Sequence, residues 1–237
     1  MTLDYPQKAN GLFVLSKAQI DEIAMMVLTK YAPHAAQHPG TLDIERLVQE
    51  DFCLSVLDKY MRQDYLGLTA FDDLAIRCFD LERQAEILEI GEGTVILNAT
   101  LLHEKHARRR RFTLAHELAH WILHRSYHSP NNQEYSFRHI ACRAVNRPYY
   151  RAWSNYEWEE WQADKLAAAL LMPEPVVRMV AGKGFTVTYD SWYYNTLSTL
   201  ADLFCVSRRA IELRLTQLGL LRYVDIGMDS DMNIDIA

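Results

Sequence analysis

The chain has 237 residues and a net charge of −6, and nearly half of its residues are apolar. That length suits one large domain with a modest appendage, and that apolar share can bury a sizeable core. The acidic balance excludes nucleic-acid binding by bulk charge. Four widely spaced cysteines, Cys53, Cys78, Cys142 and Cys205, exclude a zinc ribbon and a disulfide framework.

In chain order, Ser16 is placed to cap a first helix, with Ile20, Ile23, Ala24, Val27, Leu28 and Tyr31 at helical spacing. Residues 33–40 read as a breaker, and Thr41 as the opening of a second short helix carrying Leu42, Ile44, Leu47 and Val48. Strands are expected over 52–57, 66–71, 74–79, 86–90 and 94–97, the last two forming a hairpin around Gly91-Glu92-Gly93. A central helix follows over 107–124, then a polar and aromatic loop or insertion over 126–154. Next come a helix over 157–172 stopped by Pro173 and Pro175, a further turn over 176–180, and a helix pair over 196–204 and 207–218. The fold expected is α+β: mainly helical, with a small mixed or antiparallel sheet and a zincin-like active-site helix. Residues 1–190 would form the catalytic domain, 191–223 a helix-turn-helix-like pair packed on it, and 224–237 an acidic tail. The N-terminus lacks a secretory apolar region and no apolar run is long enough to cross a bilayer, so a soluble cytoplasmic protein with no membrane partner is expected.

The chemistry concentrates at Arg111-Phe-Thr-Leu-Ala-His116-Glu117-Leu-Ala-His120. Residues four apart share a helix face, so His116 and His120 can direct ring nitrogens at one Zn2+ ion. Glu117, one residue round, can reach a zinc-bound water without taking a ligand position, and act as general base. The flanking residues are largely apolar, and buried polar groups left unpaired are costly; a metal supplies partners. The segment Glu160-Trp-Gln-Ala-Asp164 repeats the spacing with two acids. Glu160 can complete the ligand set, and Asp164 can accept the second N–H of a ligand histidine and fix its tautomer. Glu157 and Glu159 are rival third ligands. His124, four residues past His120, offers either a substitute ligand or, preferably, a cation closing the helix end. A metzincin pattern is excluded, because Leu123 and Ser126 stand where it needs Gly and His.

The run RFTLAHELAHWILH (111–124) followed by EWQADKLAAALLMP (160–173) resembles the ImmA/IrrE family of metallo-endopeptidases. LGLTAFDD (66–73), VILN (95–98) and residues 200–221 carry weaker likeness, so the resemblance covers about 44–221. It implies His116, His120 and Glu160 as zinc ligands and Glu117 as catalytic acid/base, with Asp164 where the family has Asn or Asp. It implies a regulatory protease whose protein substrate is a transcriptional repressor or similar DNA-binding protein. The stretch between His120 and Glu160 is longer than the family leads one to expect and is rich in Tyr, Trp and Arg. It covers the cleft, grips substrate, or packs on its own aromatics. A group beside the zinc must stabilise the oxyanion. Tyr127, His128 and Arg138 are candidates that nothing in the sequence separates.

Two basic features remain. Arg108 to Arg111 open the central helix and read as a solvated or paired face. Arg208, Arg209, Arg214 and Arg222, in the helix-turn-helix-like segment 200–222, could meet phosphates, but a packing role is preferred. The competing reading is a non-catalytic zinc-containing module that binds DNA or protein through that segment.

Overall fold

The computed structural model describes residues 3–61, 65–128, 139–143, 154–182, 184–187 and 191–223. Helix α1 (Lys17–Tyr31) begins as its sequence dictates. Ser16 Oγ accepts from Gln19 N while the Gln19 side chain accepts from Ser16 N, a reciprocal capping box. Its Ile20, Ile23, Ala24, Val27 and Leu28 are buried. Pro33 then does two things. It disfavours helical geometry at Ala32, ending α1, and it opens a short α2 (Pro33–Gln37). The stretch read as a breaker therefore contains a helical turn and a half. The next helix, α3 (Ile44–Arg46), is capped by Asp43 rather than opened by Thr41: Asp43 Oδ1 accepts from Arg46 N at 3.0 Å. It continues as a π-helical stretch, Leu47–Asp51.

Strands β1 (Ser55–Lys59), β2 (Tyr65–Ala70), β3 (Leu74–Phe79), β4 (Ala85–Ile90), β5 (Thr94–Asn98) and β6 (His139–Arg143) follow. β1, β5, β2 and β6 form a mixed sheet in that order, β1 parallel to β5 and β2 antiparallel to both of its neighbours. β3 and β4 pair only with each other among the described strands. The expected hairpin between 86–90 and 94–97 is therefore wrong. Gly93, at φ +80°, turns the chain from one sheet into the other. The physical difference lies in burial. β4 alternates exposed and covered positions, while β5 is buried at every position, as a central strand must be. The loop expected over 126–154 also contains β6, which closes the sheet beyond β2.

Helix α4 (Ala107–His124) runs over β2 and against α5 (Asn155–Leu171). Ser154 and Glu157 form a second capping box at the start of α5. Then come α6 (Glu174–Ala181), β7 (Phe185–Val187), α7 (Ser191–Leu203), α8 (Arg208–Gln217, capped by Ser207) and β8 (Leu221–Tyr223). β7 and β8 form a parallel pair of three residues each, too short to show as a pattern in sequence. One large apolar core joins α1, α4, α5, α6, α7 and α8 to β5; a smaller one, around Leu68, Ala70, Ile90 and Ile96, underlies the β3–β4 hairpin. The architecture is α+β, as expected.

The basic features are mostly structural. Arg108 is ion-paired to Asp202, Arg110 to Asp58 and Glu45, and Arg111 donates to the Leu42 carbonyl. Arg214, a candidate for phosphate contact, is instead fully buried. It is ion-paired to Asp21 of α1 and donates to the Met172 carbonyl at 3.0 Å. Arg209 is exposed and paired with Glu212; the Arg222 side chain, like the tail 224–237, lies outside the described residues.

Candidate metal centre

The helical repeat of α4 brings His116, Glu117, His120 and His124 into the core, where each is at most 1 % exposed. The antiparallel neighbour α5 turns Glu159, Glu160 and Gln162 inward against them. His116 Nε2 and His120 Nε2 lie 2.9 Å apart. Glu160 reaches both, with Oε2 3.6 Å from His116 Nε2 and Oε1 3.2 Å from His120 Nε2. One ligand atom from each of these three residues falls within 4.8 Å of the others, a group able to hold a metal ion. Asp164 Oδ1 accepts from His116 Nδ1 at 2.9 Å, which leaves Nε2 of that ring to face the group.

Burial and mutual contact set the electrostatics. Burial raises the Glu117 carboxyl to about 8, although His116 and a Thr69 hydrogen bond pull it down. Burial likewise lowers His120 to about 4 and His124 to about 3, so both rings are neutral at pH 7. Burial pushes Glu160 up too, but the His116 and His120 imidazoles more than reverse this and hold it well below the usual carboxylate range. Two imidazole nitrogens facing one another beside a carboxylate are held comfortably only by a cation or a shared proton. Glu117 Oε1 is buried with no hydrogen-bond partner among the described residues. The donor set, two imidazoles and a carboxylate, therefore fits a zinc-like divalent ion with a polar ligand still to be supplied beside Glu117.

Strand β2 holds Glu117 from the other side. Thr69 Oγ1 donates to Glu117 Oε2 at 2.6 Å. Gly67 lies directly beneath the carboxylate, where a Cβ would come 2.8 Å from Glu117 Cδ. Sequence reasoning missed both residues, although a glycine inside a strand pattern is itself a sign of close approach. It also missed Gln162, whose amide lies between His124 and the Phe13 carbonyl.

The other candidates fall in different places. His124 is neither a member of the three-residue group nor a cation at the helix end. It is fully buried, with Nδ1 2.9 Å from His120 Nδ1 and Nε2 3.0 Å from Gln162 Oε1. Glu159 is bonded to His128 Nε2 at 2.6 Å, and Glu157 is spent on the α5 cap. His128 is buried and stacked on Phe71, with Tyr127 edge-on against it, so neither side chain opens to solvent. Arg138 lies outside the described residues. On the Asp164 side of the centre a cavity of about 490 Å³ opens between α4, α5 and α8. Phe112, Ala168 and Leu213 give it an apolar lining, and Arg109, Lys165 and Arg209 a basic one.

No curated protein matches the chain as a relative. Residues 95–216, just over half the chain and including α4, α5 and every member of the three-residue group, match the family model Peptidase M78, the IrrE N-terminal-like domain. The chain thus belongs to the ImmA/IrrE family of peptidases.

Proposed function

We propose that the chain is a zinc-dependent metallo-endopeptidase that cleaves a repressor-type DNA-binding protein in the cytoplasm. The observation that carries this reading is the convergence of His116, His120 and Glu160 beside Glu117, whose Oε1 is buried and unpartnered among the described residues. His116, His120 and Glu160 would hold one Zn2+ ion. Such an ion acidifies water and polarises a peptide carbonyl. With the charge of a bound cation offsetting its burial, the Glu117 carboxylate would take the proton of the attacking water at Oε1, while Thr69 holds Oε2 in place. The same carboxyl then returns the proton to the departing amine nitrogen. Gly67 leaves the carboxylate room to sit at this point. Asp164 keeps the His116 tautomer suited to ligation.

The family membership supports proteolysis, and the regulator as substrate follows from the resemblance. That the helix-turn-helix-like α7–α8 pair contributes Leu197, Leu200, Ala201, Phe204, Ile211 and Leu215 to the main core favours packing over nucleic-acid contact. Among the described residues no helix is long and apolar enough to cross a membrane.

The test pairs the wild-type chain with Glu117→Gln. Each is incubated with Zn2+ and the repressor-type protein encoded beside its gene, and fragments are read by mass spectrometry. The wild type is expected to give a single cut. Glu117→Gln should bind zinc and lose at least about a thousandfold in rate. Equal cleavage by both would sink the role of Glu117. Zinc bound with no protein ever cut would leave the non-catalytic module.

A further inference from the structure

Gln162 is a fully buried amide on α5 that the proposed chemistry does not use. We infer that Gln162 and His124 form a positioning relay, anchored on the Phe13 carbonyl, that fixes the tautomer of His120 and so presents its Nε2 lone pair to the metal. The inference rests on the zinc reading above.

The direction of each bond follows from the one before it. A backbone carbonyl can only accept, and Gln162 Nε2 lies 2.7 Å from Phe13 O. This sets the amide orientation and turns Gln162 Oε1, an acceptor, towards His124 Nε2 at 3.0 Å. His124 Nε2 therefore carries hydrogen. The ring is fully enclosed and has no carboxylate partner among the described residues, so it is a neutral imidazole with one N–H. Its Nδ1 must then accept, and the atom it meets is His120 Nδ1 at 2.9 Å. His120 is left with hydrogen on Nδ1 and a lone pair on Nε2, which faces His116 Nε2 and Glu160 Oε1.

The two metal-facing rings are thus backed differently. A carboxylate, Asp164, stands behind His116, and a neutral three-member chain stands behind His120. Glu117 and Glu160 already place two carboxyl groups in this pocket, and a neutral relay orients His120 without adding another charge. The relay ends on the segment ahead of α1, so the seating of Phe13 bears on the centre.

The experiment measures Zn2+ affinity of the full chain by competition with a chelating dye, alongside the thermal midpoint of the metal-free protein. Gln162→Met removes both amide bonds at similar volume and is expected to weaken zinc binding about tenfold or more. His124→Phe should do the same, and the double variant should be no worse than either single one, because the bonds act in series. Gln162→Glu is expected to restore affinity, since a protonated carboxyl in this buried site can still donate to Phe13 and accept from His124. Its affinity also serves as the readout if Gln162→Met fails to fold. Wild-type affinity in Gln162→Met, fully additive losses in the double variant, or a loss in Gln162→Glu equal to that in Gln162→Met would each overturn the relay alone. A wild-type chain that takes up no zinc would overturn the relay and the zinc reading together.

Discussion

The Asp21–Arg214 pair and the His116–His120–Glu160 group are buried against the same apolar core, α1 and α8 supplying the first and α4 and α5 the second. In the pair, opposite charges meet, and Arg214 also donates to the Met172 carbonyl. Its charge is answered within the protein, and what it does is tie two helices together. In the group, like atoms meet: two ring nitrogens stand 2.9 Å apart beside a carboxylate. That arrangement is uncomfortable until a cation enters it. Buried polarity is structural where its complement is built in, and becomes a binding site where the complement is left to a ligand.

The sharpest way to break this contrast is to remove one member of each cluster. Arg214→Ala leaves Asp21 buried without its partner and should cost about 3–5 kcal/mol of stability, read from urea unfolding. His116→Ala should change the metal-free stability far less, because it removes an unfavourable facing. What it should abolish is stabilisation by metal. For the wild type, Zn2+ at a thousandfold its dissociation constant should add about 4 kcal/mol. If His116→Ala retains that gain, the group is not the site.

Acidity sharpens the comparison further, with a smaller effect. In the metal-free chain, His120 and His124 titrate near 4 and 3, below their ordinary 6.5. The unfolded chain binds those protons first, so stability falls as pH drops below 6.5. Glu117 titrates near 8, above its ordinary 4.5. Here the folded chain keeps the proton, so stability falls as pH rises from 4.5 to 8. Two histidines outweigh one glutamate below 6.5, which places the maximum near that pH. Between 6.5 and 8 the net loss should be about 1 kcal/mol, and Glu117→Gln should remove it. Thermal midpoints at pH 5, 6.5 and 8 decide; an unchanged decline in Glu117→Gln would show that the Glu117 carboxyl is not its source.

Much of this was legible in the chain itself, and the reasons are local. Helix α4 and the facing acids of α5 are carried by four-residue spacings that one helix imposes on its own residues. Ser16 marks a helix start through bonds that span three residues, while the same device at Ser154, read as the end of a loop, went unnoticed. What was misread depends on partners distant in sequence. β5 resembles the return strand of a hairpin until its burial on both faces is known. Arg214 resembles a surface cation until Asp21, 193 residues away, is placed beside it. Gly67, Thr69 and Gln162 acquire meaning only once β2 and α5 are packed on α4. His124 was misassigned because a helix end is normally exposed, and this one is enclosed.

The separation of β3 and β4 from the main sheet has a consequence for how the molecule breathes. The hairpin rests on a small apolar cluster that it shares with β2 and β5, and Ile87 on it is 76 % exposed. Its amides can exchange with solvent by opening of that one arm, while those of β5, hydrogen-bonded on both sides and wholly buried, wait for the whole protein to come apart. The catalytic carboxylate proposed at Glu117 is held by β2, the strand next to β5. The centre is thus fastened to the sheet through Thr69, while Leu68 and Ala70 on either side of it carry the hairpin.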